Sequence, residues 1–179
     1  VKYCYRPLSK ASVKRIRAWN TSWKQITTRS VNTDITPAGI AFTVSKRTMV
    51  SYVLADGLGS GIKASVLATL TTTMAAGFMN ARMDIKRAAE IILETLPVCS
   101  YRHIGYSTFT IIDAKYDGKI RIIEHDNPPY ALLRSADIVK LEKQEIPIKT
   151  FRKSHLYYSE LQLLPEDRIV YYSDGVSQS

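Results

Sequence analysis

The order of the predicted elements is what most constrains the fold of this chain. Residues 40–44 and 49–54 are short β-rich runs joined by a basic turn, a pattern that predicts a hairpin. Two helical stretches follow, and strand patterns resume from residue 107 onward. This order differs from the alternating βαβ units of a nucleotide-binding fold. The sequence therefore predicts an α+β fold with mostly antiparallel sheets.

Both helices are predicted from the spacing of their apolar residues. In the first helix these residues recur every four positions, which predicts one buried face. Its members are Ile62, Val66, Leu67, Leu70, Met74 and Phe78. The second helix is expected to begin after Asp84, a good N-cap residue, and to end before Pro97. Later strands are expected at residues 107–112, 120–123, 130–133 and 168–172, with a turn at Asp117-Gly118 and a mixed charged stretch over residues 137–153.

The basic residues are concentrated at one end of the chain. The 179 residues include 25 basic and 16 acidic ones, for a net charge of +9. Eight of the basic residues precede the first acid, Asp34, which leaves 17 basic against 16 acidic residues in the remainder. We therefore interpret residues 1–33 as a basic segment, either a linker or the tail of an upstream region, and residues 34–179 as a single domain.

Within the basic segment, the spacing of four residues predicts a short amphipathic helix with a solvated basic side. These residues are Val13, Ile16, Ala18 and Trp19. Contact with nucleic acid through residues 1–33 is the alternative, and no nucleic-acid-binding motif favours it.

The cysteines and the lengths of the apolar runs indicate where in the cell the protein is located. Cys4 and Cys99 lie far apart without a second pair, which indicates neither a disulfide scaffold nor a zinc cluster. Two scattered thiols suit a reducing compartment, so a cytoplasmic location is predicted. No apolar run approaches the roughly 20 residues of a membrane-spanning helix, and no span is expected.

Two apolar strands end in the dipeptide Asp-Gly. The first leads to Asp56-Gly57 and the second to Asp174-Gly175. A carboxylate at the end of a buried strand loses part of its hydration, which costs free energy unless a cation or hydrogen-bond donors compensate. Oxygen ligands of this kind suit Mg²⁺ and Mn²⁺. Each Asp-Gly could also be a simple turn, and the spacing alone does not decide between these readings.

The glycines at 57, 59 and 61 precede the first helix. They match neither a P-loop nor a dinucleotide-binding fingerprint, because the required lysine and spacing are missing. A glycine-rich helix start can still bind an anion through its free amide groups, so phosphate is expected near Ser60 and Gly61.

The sequence Ala55–Gly61, with the helix behind it, resembles the aspartate-glycine motif of metal-dependent serine/threonine phosphatases. It is most similar to the stage II sporulation protein E-like branch of the protein phosphatase 2C superfamily. A central strand, a proline-rich turn and a late Ser-Asp-Gly motif follow in that family's order, at Tyr106–Thr110, His125–Tyr130 and Leu164–Val176. The resemblance covers about residues 38–177.

The resemblance implies a four-layer α-β-β-α sandwich with two Mn²⁺ or Mg²⁺ ions between its sheets. Asp56 would bridge both ions, the Gly57 carbonyl would bind one, and Asp174 would bind the other. A water activated by the ions would hydrolyse phosphoserine or phosphothreonine without a protein nucleophile. The implied partner is a phosphorylated protein, such as an anti-sigma-factor antagonist, in bacterial stress or sporulation-type signalling.

Two departures from the family's pattern leave an alternative open. The family usually has an acid after a glycine in the first hairpin strand, whereas Gly39 is followed by Ile40. A further metal-binding aspartate of the family would fall beyond the last residue of this chain, so the domain is expected to be incomplete at its C-terminus. The alternative function is a catalytically weak pseudophosphatase that binds phosphoproteins or acts as a scaffold.

Overall fold

Two antiparallel sheets pack against each other, and two helices cover one of them. The structure is a computed structural model that describes residues 49–59, 61–97, 107–135, 137–148 and 155–173, together with the backbone of residues 14–17 and 38–44. The prediction of an α+β fold with antiparallel sheets is confirmed. The described residues form three of the four expected layers. Their order is the two helices, the six-stranded sheet and the four-stranded sheet.

The described elements follow one another as ten strands and two helices. They are β1 (Lys14–Arg17), β2 (Ala38–Val44), β3 (Met49–Gly57), α1 (Ile62–Asn80), α2 (Ile85–Thr95), β4 (Ser107–Lys115), β5 (Lys119–His125), β6 (Ala131–Arg134), β7 (Asp137–Val139), β8 (Gln144–Ile146), β9 (Leu156–Gln162) and β10 (Arg168–Tyr171). The larger sheet has the order β2-β3-β4-β5-β9-β8, and the smaller has the order β1-β10-β6-β7.

Both predicted hairpins are present. Strands β2 and β3 pair from Ala38 opposite Asp56 to Val44 opposite Val50. Strands β4 and β5 are joined at Asp117-Gly118, where Gly118 has a φ of 87°. The Asp117 carboxylate accepts a hydrogen bond from the backbone N–H of Lys119 at 2.9 Å. Glycine is favoured at this turn because few side chains tolerate a positive φ.

Helix α2 follows the prediction closely. The Asp84 side chain accepts hydrogen bonds from the backbone N–H groups of Lys86 at 3.0 Å and Arg87 at 3.3 Å, as an N-cap does. The buried residues of this helix are Ile85, Ala88, Ala89, Ile92 and Leu93. They form one side of the helix and pack on the larger sheet.

Helix α1 is present, but half of its predicted buried face is exposed, and the other half, Leu67, Met74 and Phe78, is only partly buried. Ile62 is 84% exposed, Val66 is 59% exposed and Leu70 is 42% exposed. The buried residues are instead Ala64, Ala68, Thr71, Thr72, Ala75 and Met79. These side chains are mostly small, which lets the helix approach β2 and β3 closely; the larger aliphatic residues of its first turns therefore face outward.

By length and composition alone, α1 could also cross a membrane, since it has 19 residues and a mean hydropathy of 1.2. A single helix of this kind is weak support for a span, because core helices of folded domains pass the same test. Ala75 and Met79 of α1 pack in the core that joins both helices to the larger sheet.

The short helix predicted around Val13–Trp19 is wrong where the chain is described. Residues Lys14–Arg17 form β1, which pairs antiparallel with β10. A helix of this length is marginal on its own, whereas a strand gains backbone hydrogen bonds along the edge of β10. The prediction also missed β9 and the short strands β7 and β8, which lie within or after the charged stretch.

An ion pair between the partly exposed Arg134 and the buried Asp167 stabilises the start of β10. Arg134 donates to both carboxylate oxygens of Asp167, with Nε 2.9 Å from Oδ1 and Nη2 2.6 Å from Oδ2. The backbone N–H of Leu164 also donates to Oδ2, at 2.9 Å. Asp167 is almost fully buried, and the Arg134 guanidinium lowers the pKa of its carboxyl below the usual value.

We expect substitutions on α1 to report its corrected orientation. Val66→Gln should change the free energy of unfolding by less than about 0.5 kcal/mol, because the side chain is exposed. Ala68→Leu should lower it by about 1–3 kcal/mol, because the added volume has no space against the sheet. Urea unfolding monitored by circular dichroism measures both. An equal loss in the two variants would contradict the observed face.

We also expect Asp167→Asn to destabilise the protein in a pH-dependent way. Since the pKa of Asp167 is lowered in the folded state, its ionised form stabilises the fold at neutral pH, and this contribution is lost as the pH falls through that pKa. The melting temperature should fall by on the order of 5 °C at pH 7, and the difference from the unmodified chain should shrink below roughly pH 4. Asp137→Asn, at an exposed position, is the control. A deficit that is constant with pH would contradict the explanation.

Candidate functional site

Strand β3 and helix α1 meet at Gly57. A Cβ atom placed on Gly57 would lie 2.0 Å from the carbonyl oxygen of Ala64 and 2.7 Å from its Cα. Backbone cannot move away as the end of a flexible side chain can, so only glycine fits here. The close contact fixes the end of β3 against the first turns of α1.

The connection from β3 to α1 requires two further glycines. Gly59 has a φ of 95° and Gly61 has a φ of 75°, values that side chains rarely adopt. Gly61 is the N-cap of α1 and offers no side-chain acceptor to the first turn. The expected anion site near Ser60 and Gly61 stays a prediction, and Ser60 lies outside the described residues.

Asp56 faces the space between the two sheets. Side chains alternate along a strand, and Val53 and Ala55 pack toward the helices, whereas Tyr52 and Leu54 pack toward the smaller sheet. Asp56 therefore shares the face of Tyr52 and Leu54, and it is partly exposed at the end of the strand.

The backbone around Asp56 is held on both sides. Asp56 pairs with Thr108 of β4 and with Ala38 of β2. The Ser107 hydroxyl donates a hydrogen bond to the Asp56 carbonyl oxygen at 2.9 Å. Strand β2 has the sequence AGIAFTV, so it brings no carboxylate to this edge.

Three polar residues continue this face beyond Asp56. Thr108 and Thr110 of β4 lie on the same side of the sheet as Ile112, which packs between the sheets. Asn127 folds back over them, and its Nδ2 donates to the Thr110 hydroxyl at 2.9 Å. Among the described residues, neither Thr108 Oγ1 nor Asn127 Oδ1 has a hydrogen-bond partner, although both atoms are buried.

A neighbouring buried carboxylate has a structural role. Both oxygens of Glu124 are bound, Oε1 by the backbone N–H of Tyr130 at 2.7 Å and Oε2 by Lys143 Nζ. Lys143 also lies 4.5 Å from the centre of the Tyr130 ring. Burial raises the pKa of Tyr130 to about 12, so its hydroxyl stays protonated at neutral pH. These contacts connect the start of β6 to β5.

Strand β10 runs toward the same end of the sandwich as Asp56. Its residue Val170 pairs with Ala131 at the start of β6. The residue before Ala131, Tyr130, donates a backbone hydrogen bond to Glu124. Glu124 pairs with Thr110, which lies two residues from Thr108, the partner of Asp56. Ser173, the last described residue, is buried. Asp174 lies outside the described residues, and its contact with Asp56 stays a prediction.

The candidate metal ligands at the site are oxygen atoms. The described residues contain no group of three or more histidine, cysteine, aspartate or glutamate side chains placed to hold a metal ion. They contribute the Asp56 carboxylate and the Gly57 carbonyl, which fit hard divalent cations in chemical type. Sequence reasoning assigned no site role to Thr108 or Asn127; the two threonines that alternate with Phe109 at the start of β4 were the available signal.

The layers and the antiparallel strand order place the chain in the class of PP2C-like folds, since it is similar in structure to solved phosphatase domains of that fold. The PP2C phosphatase domain of the cell fate determinant SpoIIE from Bacillus subtilis, solved with a fragment of its regulatory domain, has a TM-score of 0.67 and 17% identity. That alignment covers 93% of this chain and 46% of the solved one.

A second solved structure contains the RsbU and RsbW domains of Rv1364c from Mycobacterium tuberculosis. Its TM-score is 0.62 and its identity 14%, with 94% of this chain and 45% of the other covered. The B. subtilis SpoIIE phosphatase domain in a crystal form without domain swapping gives 0.57 and 16%, with 96% and 70% covered. At these identities the likeness shows the fold. This chain spans less than half the length of the first two solved chains.

The family is shown by the sequence itself. Residues 46–179 match the model of stage II sporulation protein E (SpoIIE). The chain therefore belongs to the stage II sporulation protein E family. No curated protein matches the sequence.

We expect Gly57→Ala to separate α1 from β3. The added methyl would overlap the Ala64 carbonyl, so the free energy of unfolding should fall by about 1–3 kcal/mol or more. Gly77→Ala is the matched control, because a Cβ at Gly77 meets no atom within 4 Å and alanine favours the helix. Urea unfolding compares the two. A Gly57→Ala variant as stable as the control would contradict the close packing.

Proposed function

We propose that this chain is a metal-dependent phosphatase that hydrolyses phosphoserine or phosphothreonine in a protein substrate, in bacterial sporulation or stress signalling. The family and the PP2C fold support the proposal. The observation that carries it is the rigid end of β3, where Asp56 and Gly57 are held between α1 and β4. A rigid carboxylate at the edge of an apolar space is suited to binding a cation, because little ordering is required on binding.

In this proposal the Asp56 carboxylate, the Gly57 carbonyl and Asp174 are the residues that would hold the two ions. The direction of β10 supports the inclusion of Asp174, since the strand runs toward the Asp56 end of the sandwich. When bound, Mn²⁺ or Mg²⁺ would offset charge on the phosphoryl oxygens and make a water more acidic. The protein would position the phosphoryl group and exclude bulk water on the apolar side.

The start of α1 would orient the substrate. Helix N-termini attract anions because their amide groups point outward and the helix dipole is positive there. Gly61 leaves these groups without a side-chain acceptor. We therefore assign the region of Ser60 and Gly61 to the substrate phosphate. The proposed substrate class is a phosphorylated anti-sigma-factor antagonist, and the proposed location is the cytoplasm.

A specific observation favours a second candidate, a pseudophosphatase that binds phosphoproteins. Ala38 lies directly opposite Asp56 on β2, and this strand has no acidic residue. A site with fewer carboxylates binds divalent cations more weakly, because ligand charge contributes to affinity. Such a domain could retain a phosphorylated partner at the helix N-terminus without hydrolysing it.

Hydrolysis of p-nitrophenyl phosphate and of a phosphoserine peptide, with Mn²⁺ titrated in, tests the proposal. Asp56→Asn and Asp174→Asn should each lower the rate by on the order of 100-fold or more, because each removes a charged ligand. Asp137→Asn, on the exposed strand β7, should leave the rate unchanged and serves as the control.

Unchanged turnover in Asp56→Asn would overturn the phosphatase site. An unmodified chain that does not hydrolyse either substrate but retains a phosphorylated partner on a column would establish the pseudophosphatase instead. Mn²⁺-independent hydrolysis would contradict the role of the metal.

A further inference from the structure

Two buried oxygen atoms beside Asp56 have no hydrogen-bond partner among the described residues. They are Thr108 Oγ1 and Asn127 Oδ1. Buried polar atoms are nearly always bonded, because an unsatisfied one loses its hydration without compensation. Two such atoms at one end of the same space therefore indicate a ligand or ordered water that supplies hydrogen bonds there.

Their positions connect them to the candidate site. Thr108 is the direct cross-strand neighbour of Asp56 on β4, and residues paired in this way have Cβ atoms about 4.5–5.5 Å apart. Asn127 is held on the same face through its hydrogen bond to Thr110, two residues along β4. With Nδ2 donating to the Thr110 hydroxyl, Oδ1 is the acceptor that the amide has left.

The chemistry of the two atoms selects what can satisfy them. An amide oxygen only accepts hydrogen bonds, and a hydroxyl oxygen also accepts them. The waters around a divalent cation are strong donors, and Mg²⁺ in particular keeps several of them when it binds to protein. A partly hydrated cation on Asp56 would present donors to acceptors of this kind, whereas a phosphate oxygen would present none to Asn127 Oδ1.

We propose that Thr108 and Asn127 are positioning residues, which orient the water shell of the cation held by Asp56 through Thr108 Oγ1 and Asn127 Oδ1. This inference rests on the proposed metal site and extends it to two uncharged residues that supply no direct ligand. Groups in this outer position typically change metal affinity by 10- to 100-fold when they are removed. In a site with few carboxylates, the outer acceptors carry a larger share of the affinity.

The test combines Mn²⁺ titration with thermal unfolding of the metal-free protein. Thr108→Val replaces the hydroxyl by a methyl of the same shape, and the dissociation constant for Mn²⁺ should rise about tenfold. The metal-free melting temperature should stay the same or rise, since an unsatisfied group is removed. Thr108→Ser restores the hydroxyl and should restore the affinity. Asn127→Leu should weaken Mn²⁺ binding by a similar factor.

Thr71→Val is the matched control. Thr71 is also buried, but its hydroxyl donates to the Leu67 carbonyl at 2.7 Å within α1. Its loss should lower the melting temperature by about 2–4 °C and leave Mn²⁺ affinity unchanged. The two threonines should thus respond in opposite ways in the two measurements.

Asp56→Asn separates this inference from the proposal beneath it. If Mn²⁺ binding is absent in the unmodified chain or unaffected by Asp56→Asn, the metal site and the positioning role both fail. If Asp56→Asn abolishes binding while Thr108→Val and Asn127→Leu retain full affinity, the positioning role alone is overturned. A fall in metal-free melting temperature for Thr108→Val as large as that for Thr71→Val would also overturn it, since the hydroxyl would then have a protein partner.

Discussion

The contact between Gly57 and Ala64 determines how the helical layer lies on the larger sheet. The two backbones are so close at this point that no side chain fits on Gly57. The rest of α1 must then follow the sheet at short distance, which its alanine and threonine residues allow. The bulky aliphatic residues of the first turns are turned outward as a consequence. The same contact holds Asp56 at a fixed place, because Gly57 is its neighbour.

The space between the sheets changes in character from one end to the other. Its middle contains Tyr52, Leu54 and Tyr171 packed with aliphatic residues, and burial raises the pKa values of both tyrosines above the usual value. At the end where β3 and β10 finish, polar groups replace them, and Glu124 of the larger sheet accepts a hydrogen bond from the backbone of Tyr130, just before β6 of the smaller sheet. The charge of Glu124 is thus neutralised by Lys143. In our proposal, the oxygens of Asp56, Thr108 and Asn127 instead interact with a bound cation and its waters.

The sequence predictions succeeded where a structural feature is decided by neighbouring residues and failed where it depends on residues far away in the chain. The α2 N-cap at Asp84 and the turn at Asp117-Gly118 are decided within a few residues, and both are present as predicted. Strand β9 was missed because its residues pair with β5 and β8, which are distant or weakly patterned in sequence. Strand β1 was mistaken for a helix, because its partner β10 lies about 150 residues later and cannot be inferred from Lys14–Arg17.

The sequence by itself determined the order of a hairpin, two helices and further strands, the antiparallel α+β class and the strand end at Asp56-Gly57, because these follow from turn chemistry and short-range periodicity. Only the tertiary structure decided which face of α1 is buried, since that depends on the distance between a helix and a sheet. It also decided that Thr108 lies directly opposite Asp56, that Asn127 bonds to Thr110 on the same face, and that one oxygen of each has no partner among the described residues. The physical reason is that layer packing and hydrogen-bond satisfaction depend on residues far apart in the chain.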